Sequence, residues 1–252
     1  MSLLNLFIGT WRTMSSRKSL FNRLLSLLVL MCVDFASAQP SPYTLKTGRE
    51  ALLVGGGAVV TGLGHFLGSR VQPPDPEKLD MNGINAFDRL TVNMHYPGTA
   101  TVSDVTLFSC AALPLIPALS TGSGQTNREA LLMVLEAYLI NEGITKLTKV
   151  LVRRARPYAY HRPREILKGD ASQSFFSGHT SMAFAGAVAA GLLTQELHSG
   201  SEVNSAIWSV SMGLALTTGI CRITSGKHFP TDVLIGALAG SLVSYLVLKL
   251  HQ

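Results

Sequence analysis

Six apolar stretches, at 51–69, 105–121, 130–144, 181–194, 203–221 and 233–248, are set apart by polar punctuation. Each is long enough for a helix, and the strict alternation of apolar and polar residues that marks strands is scarce. The pattern predicts an all-α fold, a six-helix bundle. Pro114 and Pro117 fall inside the second stretch, where a missing amide donor and a bulky ring predict a kink or a break. Between the first two stretches, 71–100 holds Pro73, Pro74, Pro76 and Pro97 among several charges. It reads as a loop, with a short surface helix over 77–90.

Crossing a bilayer takes about 20 predominantly apolar residues. The first, second, fifth and sixth stretches approach that length, while the fourth is rich in Ala and Gly and only weakly hydrophobic. The third carries Glu136 and Glu142. A central acidic residue costs roughly 2.5–3.5 kcal/mol on insertion, against about 0.3–0.6 gained per Leu, Ile, Val or Phe. The third helix is therefore expected to be shielded by its neighbours.

Composition agrees with a membrane-embedded bundle: of 252 residues, 47% are hydrophobic and 14% charged. The net charge of +6 raises nucleic acid as a partner, but the basic residues concentrate in 146–168, and a bound anion explains them more economically. No nucleic-acid partner is expected. Arg12, Arg17, Lys18 and Arg23 precede a short apolar run at 24–33, and Ala36-Ser37-Ala38 has the small-x-small form of a signal-peptidase site. Residues 1–38 are thus expected to be a signal peptide cleaved after Ala38, leaving 39–252 as one helical domain; an uncleaved anchor is the alternative. Cys32 follows Leu30-Met31 and lacks the small residues that lipoprotein processing requires. Cys110 and Cys221 lie in apolar stretches, so two buried thiols are expected and neither a disulfide framework nor a zinc site is indicated.

Three polar segments carry candidate chemistry. The first, 149–157 (KVLVRRARP), reads as a helix end running into a loop, with Lys149 and Arg156 seven residues apart and on one face if the helix persists that far. A basic helix end stabilised by the macrodipole or by acidic headgroups explains it equally well. The second, 174–180 (SFFSGHT), places Ser177, Gly178 and His179 just ahead of an apolar helix, where backbone amides favour an anion; simple capping by Ser177 or Thr180 is the plainer explanation. The third, 222–232 (RITSGKHFPTD), holds Arg222, His228 and Asp232. There Asp232 is expected to accept from one ring nitrogen of His228 and leave the other as a nucleophile, or else to cap the last helix in competition with Thr231. What favours chemistry is topology. In an up-and-down bundle the end of the third helix, the start of the fourth and the link from the fifth to the sixth all meet at one end.

Lys149-x6-Arg156-Pro157, Phe176-Ser177-Gly178-His179 and Cys221-Arg222-x5-His228-x3-Asp232 together resemble the three-part signature of the type 2 phosphatidic acid phosphatase superfamily. That superfamily includes bacterial lipid phosphatases, soluble periplasmic acid phosphatases and vanadium haloperoxidases. The resemblance runs from about Glu129 to the end of the last helix. Phe176 stands where the family usually has proline, and Cys221 where it usually has serine. The resemblance implies that Lys149, Arg156 and Arg222 bind phosphate oxygens with help from Ser177 and the Gly178 amide. His228 would form a phosphohistidine, oriented by Asp232, while His179 protonates the leaving alcohol and later activates water. Clustered cations suit a transition state that spreads negative charge over equatorial oxygens. No carboxylate cluster stands nearby to hold magnesium or zinc, so no metal or other cofactor is expected. The expected substrate is a phosphorylated membrane lipid, such as phosphatidic acid, a prenyl diphosphate or lipid A, at a periplasm-facing site of a bacterial-type inner membrane. The alternatives are a soluble periplasmic acid phosphatase acting on small phosphomonoesters, a vanadate-dependent haloperoxidase and a non-catalytic protein binding anionic lipid.

Overall fold

A computed structural model describes residues 41–161, 170–198 and 200–252; the expected signal peptide lies outside them. Their helices are α1 (Thr47–Gly68), α2 (Ala86–Arg89), α3 (Pro97–Ala112), α4 (Leu115–Leu119), α5 (Gly124–Val152), α6 (Gly178–Leu197), α7 (Ser201–Thr224) and α8 (Pro230–Leu250). No strand occurs among the described residues. The expected count of six helices is not met. The second apolar stretch is split at Leu113 and Pro114 into α3 and α4, because Pro114 supplies no amide to continue α3. The surface helix expected over 77–90 is reduced to the four residues of α2, preceded by 3-10 turns at Pro76–Lys78 and Met81–Gly83.

α6 is the hub, packing against α3, α4, α5, α7 and α8. Its weak hydrophobicity follows from that position, since Ala183, Ala185, Ala187, Ala189 and Ala190 are all fully buried and small side chains let the surrounding helices approach closely. α8 crosses α6 at Gly236 and Gly240, where any Cβ would run into the carbonyl oxygens of Ser177 and Ser181. α1 lies along α5. As expected, α5 keeps its acidic residues from lipid: Glu136 is fully buried, and Glu142 pairs with His65 at 3.5 Å and Lys146 at 3.4 Å.

Four segments are long and apolar enough to cross a membrane: Thr47–Gly68, Pro97–Leu119, Glu202–Thr224 and Pro230–Leu250. Their outward faces expose large apolar side chains, among them Leu52, Phe66, Phe108, Leu216, Leu238 and Leu246, a surface that water would not tolerate over such an extent. The long helices run up and down. Gln173 Nε2 donates to the carbonyl of Gly68 and Tyr96 N to that of Thr224, tying together one end of the bundle. At the other end, Thr44 N donates to the carbonyl of His251, and Ser120 meets His198.

Candidate active site

All three polar segments come to the first of these ends. α5 stops at Val152 because Arg153 adopts a left-handed conformation (φ 49°), its amide closing back on the Lys149 carbonyl at 3.1 Å. The helix therefore does not persist to Arg156, which sits in extended backbone before the 3-10 turn Pro157–Tyr160. The left-handed break at Arg153 and the bond from the Arg156 amide to the Ala171 carbonyl (2.8 Å), rather than a shared helical face, set the position of Arg156. Ser177 caps α6, its Oγ accepting from the amide of Thr180 at 3.4 Å. Gly178 follows in the first turn, where a Cβ would stand 3.1 Å from Thr145 Cγ2 and 3.9 Å from Lys149 Cε. Its absence lets the start of α6 pack closely on Thr145 of α5.

Lys149, Arg156 and Arg222 are all buried. Lys149 Nζ donates to the carbonyl of Gln173 at 2.6 Å. Arg156 donates to the carbonyls of Asp170 (2.9 Å) and Lys227 (3.0 Å) and pairs with the Asp170 carboxylate at 3.1 Å. Arg222 reaches Ser103 Oγ at 3.3 Å, and its buried Nε has no partner. An unsatisfied guanidinium nitrogen beside two further cations is a site short of an anion.

His228 lies in the loop between α7 and α8, almost wholly buried. Its Nδ1 donates to the carbonyl of Ser174 at 2.8 Å, and its Nε2 faces Nη1 of Arg156 at 3.3 Å. Because arginine only donates, Nε2 carries the lone pair. Burial first, then the charges of Arg156, Lys149 and Arg222, hold this imidazole well below its usual range and keep it neutral. The Asp232 carboxylate stands 3.7 Å from Nδ1, so the expected direct hydrogen bond is not formed. Asp232 instead accepts from Arg154 Nη1 (2.6 Å), Ser174 Oγ (2.5 Å) and the Phe229 amide at the start of α8 (2.9 Å). It anchors the segment whose carbonyl orients the histidine, and acts on the ring through Ser174.

His179, in the first turn of α6, is partly open and contacts Asp104 Oδ1 at 2.9 Å through Nε2. Burial and the charge of Arg222 lower its pKa to about 4 against the opposing pull of Asp104. Three neighbours went unread in the sequence. Asp104, on α3, faces both His179 and, at 4.0 Å, Arg222. Ser174 orients His228. Arg154, one of several clustered arginines, bridges Asp232 and Asp88 at 2.6 Å each. Ser174 and Arg154 fall within the second and first polar segments, whereas nothing in the sequence marked Asp104.

A family model described as the PAP2 superfamily matches residues 130–252. All the PAP2-type site residues named from the sequence lie inside that region, whereas Ser103, Asp104 and Asp88 reach the site from outside it. The bacitracin transport permease protein BcrC of Bacillus licheniformis is 30% identical over 122 residues, which are 48% of this chain and 55% of that protein. The match thus spans about half of each. A crystal structure of a transmembrane PAP2 type phosphatidylglycerolphosphate phosphatase from Bacillus subtilis aligns with a TM-score of 0.49 at 25% identity, covering 77% of this chain and 94% of that one.

Proposed function

We propose that this chain is a membrane phosphatase that hydrolyses a phosphorylated lipid through a phosphohistidine, without a metal at the phosphate. The observation that carries the proposal is the convergence of Lys149, Arg156 and Arg222 around the lone pair of a neutral His228. In this reading the three cations and the amides at the start of α6 hold the phosphate oxygens. Nε2 of His228 attacks phosphorus, the bond from phosphorus to the lipid oxygen breaks, and His179 gives that oxygen a proton. His179 then takes a proton from water, which attacks the phosphohistidine and releases phosphate. A lipid substrate suits a site at the end of a bundle with four apolar spans, level with a headgroup. Metal-free chemistry is favoured because each nearby carboxylate is already engaged: Asp232 with Arg154, Asp170 with Arg156 and Asp104 with His179.

The test uses purified protein on phosphatidic acid, a prenyl diphosphate and a chromogenic monoester, at a temperature well below unfolding. Initial rates should be unchanged by chelator and inhibited by vanadate, which adopts the five-coordinate geometry of the transferring group. His228→Ala should abolish both turnover and acid-labile phosphoenzyme. His179→Ala should lose about 10²–10⁴-fold and be partly rescued by a good leaving group. Equal rescue of both variants, or a phosphoenzyme in His228→Ala at the wild-type rate, would show the assigned roles to be wrong.

A further inference from the structure

At the end of the bundle opposite the phosphate site, three titratable side chains that the proposed reaction does not use meet in the interior. Glu50 stands in the first turn of α1, Glu136 within α5, and His251 directly after α8. All three are buried, and one ligand atom from each lies within 4.8 Å of the others. His251 Nε2 is 2.9 Å from Glu50 Oε2 and 3.2 Å from Glu136 Oε2.

The backbone sets the ring. Nδ1 of His251 is 2.7 Å from the carbonyl oxygen of Val247, an acceptor, so Nδ1 bears the proton. In the neutral imidazole Nε2 then points a lone pair at two carboxylates that are acceptors themselves. Glu50 is half provided for: its Oε1 accepts from the Lys46 amide (2.7 Å) and Arg49 Nε (3.0 Å). Glu136 is not. It is fully buried, and neither of its carboxylate oxygens has a hydrogen-bond partner. An uncompensated buried carboxylate is expensive, and three convergent lone pairs call for a cation among them.

We propose that Glu50, Glu136 and His251 form a binding site for a divalent transition-metal ion of the zinc class, which clamps the start of α1 and the end of α8 to α5. In a tetrahedral site with bonds of about 2.0–2.1 Å, the ligand atoms stand about 3.3 Å apart; the two measured separations fall within a few tenths of an ångström of that. One imidazole with two carboxylates suits zinc or its neighbours better than calcium or magnesium, which prefer more numerous oxygen ligands. A histidine that donates its other N–H to a backbone carbonyl is the usual second-layer support of a metal ligand. Two carboxylates balance the ion's charge, and water completes the coordination. The ion stabilises the bundle and takes no part in phosphate chemistry, so the site stands independently of the proposed activity.

The experiment uses untagged full-length protein in detergent, stripped with chelator and reloaded with Zn²⁺ or Co²⁺. After gel filtration the wild type should retain one equivalent, and the cobalt form should show the strong visible absorption of a tetrahedral site. Tm should rise by on the order of 5–10 °C with zinc at about 100 times its Kd. Glu136→Gln and His251→Gln should lose both the retained ion and the zinc-dependent rise, whereas His228→Ala should keep them. The site is overturned if the wild type retains no metal and gives no cobalt spectrum, a result that needs no variant to fold. It is equally overturned if the two glutamine variants bind as the wild type does. A Tm that answers to pH and not to metal would identify a shared proton as the occupant and also refute the proposal.

Discussion

Arg154 donates to Asp232 and to Asp88 at 2.6 Å each, and its guanidinium lies 4.3 Å from the ring centre of Phe229. Both carboxylates are fully buried. Replacing the arginine in Arg154→Gln removes the cation that the two share, a loss of about 3–5 kcal/mol for a broken buried pair. Tm should fall by on the order of 10 °C, and kcat should fall because the Asp232 carboxylate that holds Ser174 loses the cation that fixes its position. Thermal melts and kinetics check this; a Tm within 2 °C of wild type would refute it. His179 makes a second prediction. Its pKa of about 4 leaves it neutral in the empty site, yet as an acid it must hold a proton when phosphate is bound. A phosphate or vanadate dianion among the cations should raise that pKa, so binding near pH 7 should take up as much as one proton. Calorimetry in buffers of different ionisation enthalpy reads the uptake directly; a buffer-independent binding enthalpy would count against His179 as the acid.

Among the elements, the crossing of α8 over α6 depends on two positions without side chains. Gly240→Ala would drive a Cβ into the carbonyl of Ser181 and should cost at least about 1–3 kcal/mol through forced separation of the helices. Gly213, on α7, has open space where its Cβ would go. Gly213→Ala should be neutral or stabilising by about 0.4–1 kcal/mol, since alanine has less freedom to lose on folding. Opposite signs in the two melts are the expected result, and equal destabilisation would contradict the packing described. The turn at Arg153 is as decisive for the site, because an α5 continued past Val152 would carry Arg156 along the helix axis, away from its contact with His228.

For the molecule as a whole, the run of helices places the start of α1 and the end of α8 at one end, and the phosphate site with the 71–96 loop at the other. A thiol at exposed Glu77→Cys and a reporter fused after Gln252 should therefore lie on opposite faces of the membrane; labelling of both by an impermeant reagent from the same side would contradict this. Stability should also depend on pH with a defined sign. His179 and His228 both have folded pKa values below the unfolded value of about 6.5. Below that pH the unfolded chain binds protons that these two histidines refuse in the native state, so their contribution to stability is full above about 6.5 and is lost as pH falls toward 4. The change in Tm across that window should therefore differ between the wild type and His179→Gln, the variant losing less on the acid side.

Where the helices lie was legible in the sequence because apolar periodicity is local: each of the six stretches lies mostly in helix, and the proline break and the shielding of Glu136 followed from the same reading. The residue types of the site were legible too, since cations, two histidines and a capping serine sit in short segments whose chemistry is intrinsic. The partners of those residues were decided by tertiary structure alone. Asp104 meets His179 from 75 positions away, and Arg154 meets Asp232 from 78. The Ser174 carbonyl displaces Asp232 as the direct partner of His228, although Asp232 is only four residues from that histidine. Backbone carbonyls carry no sequence label, and a hydrogen bond depends on tenths of an ångström that packing sets, so neither spacing nor residue type selects between them. The same holds at the far end, where Glu50 and His251, near opposite ends of the described chain, become neighbours only because an up-and-down bundle returns its last helix to the start of its first.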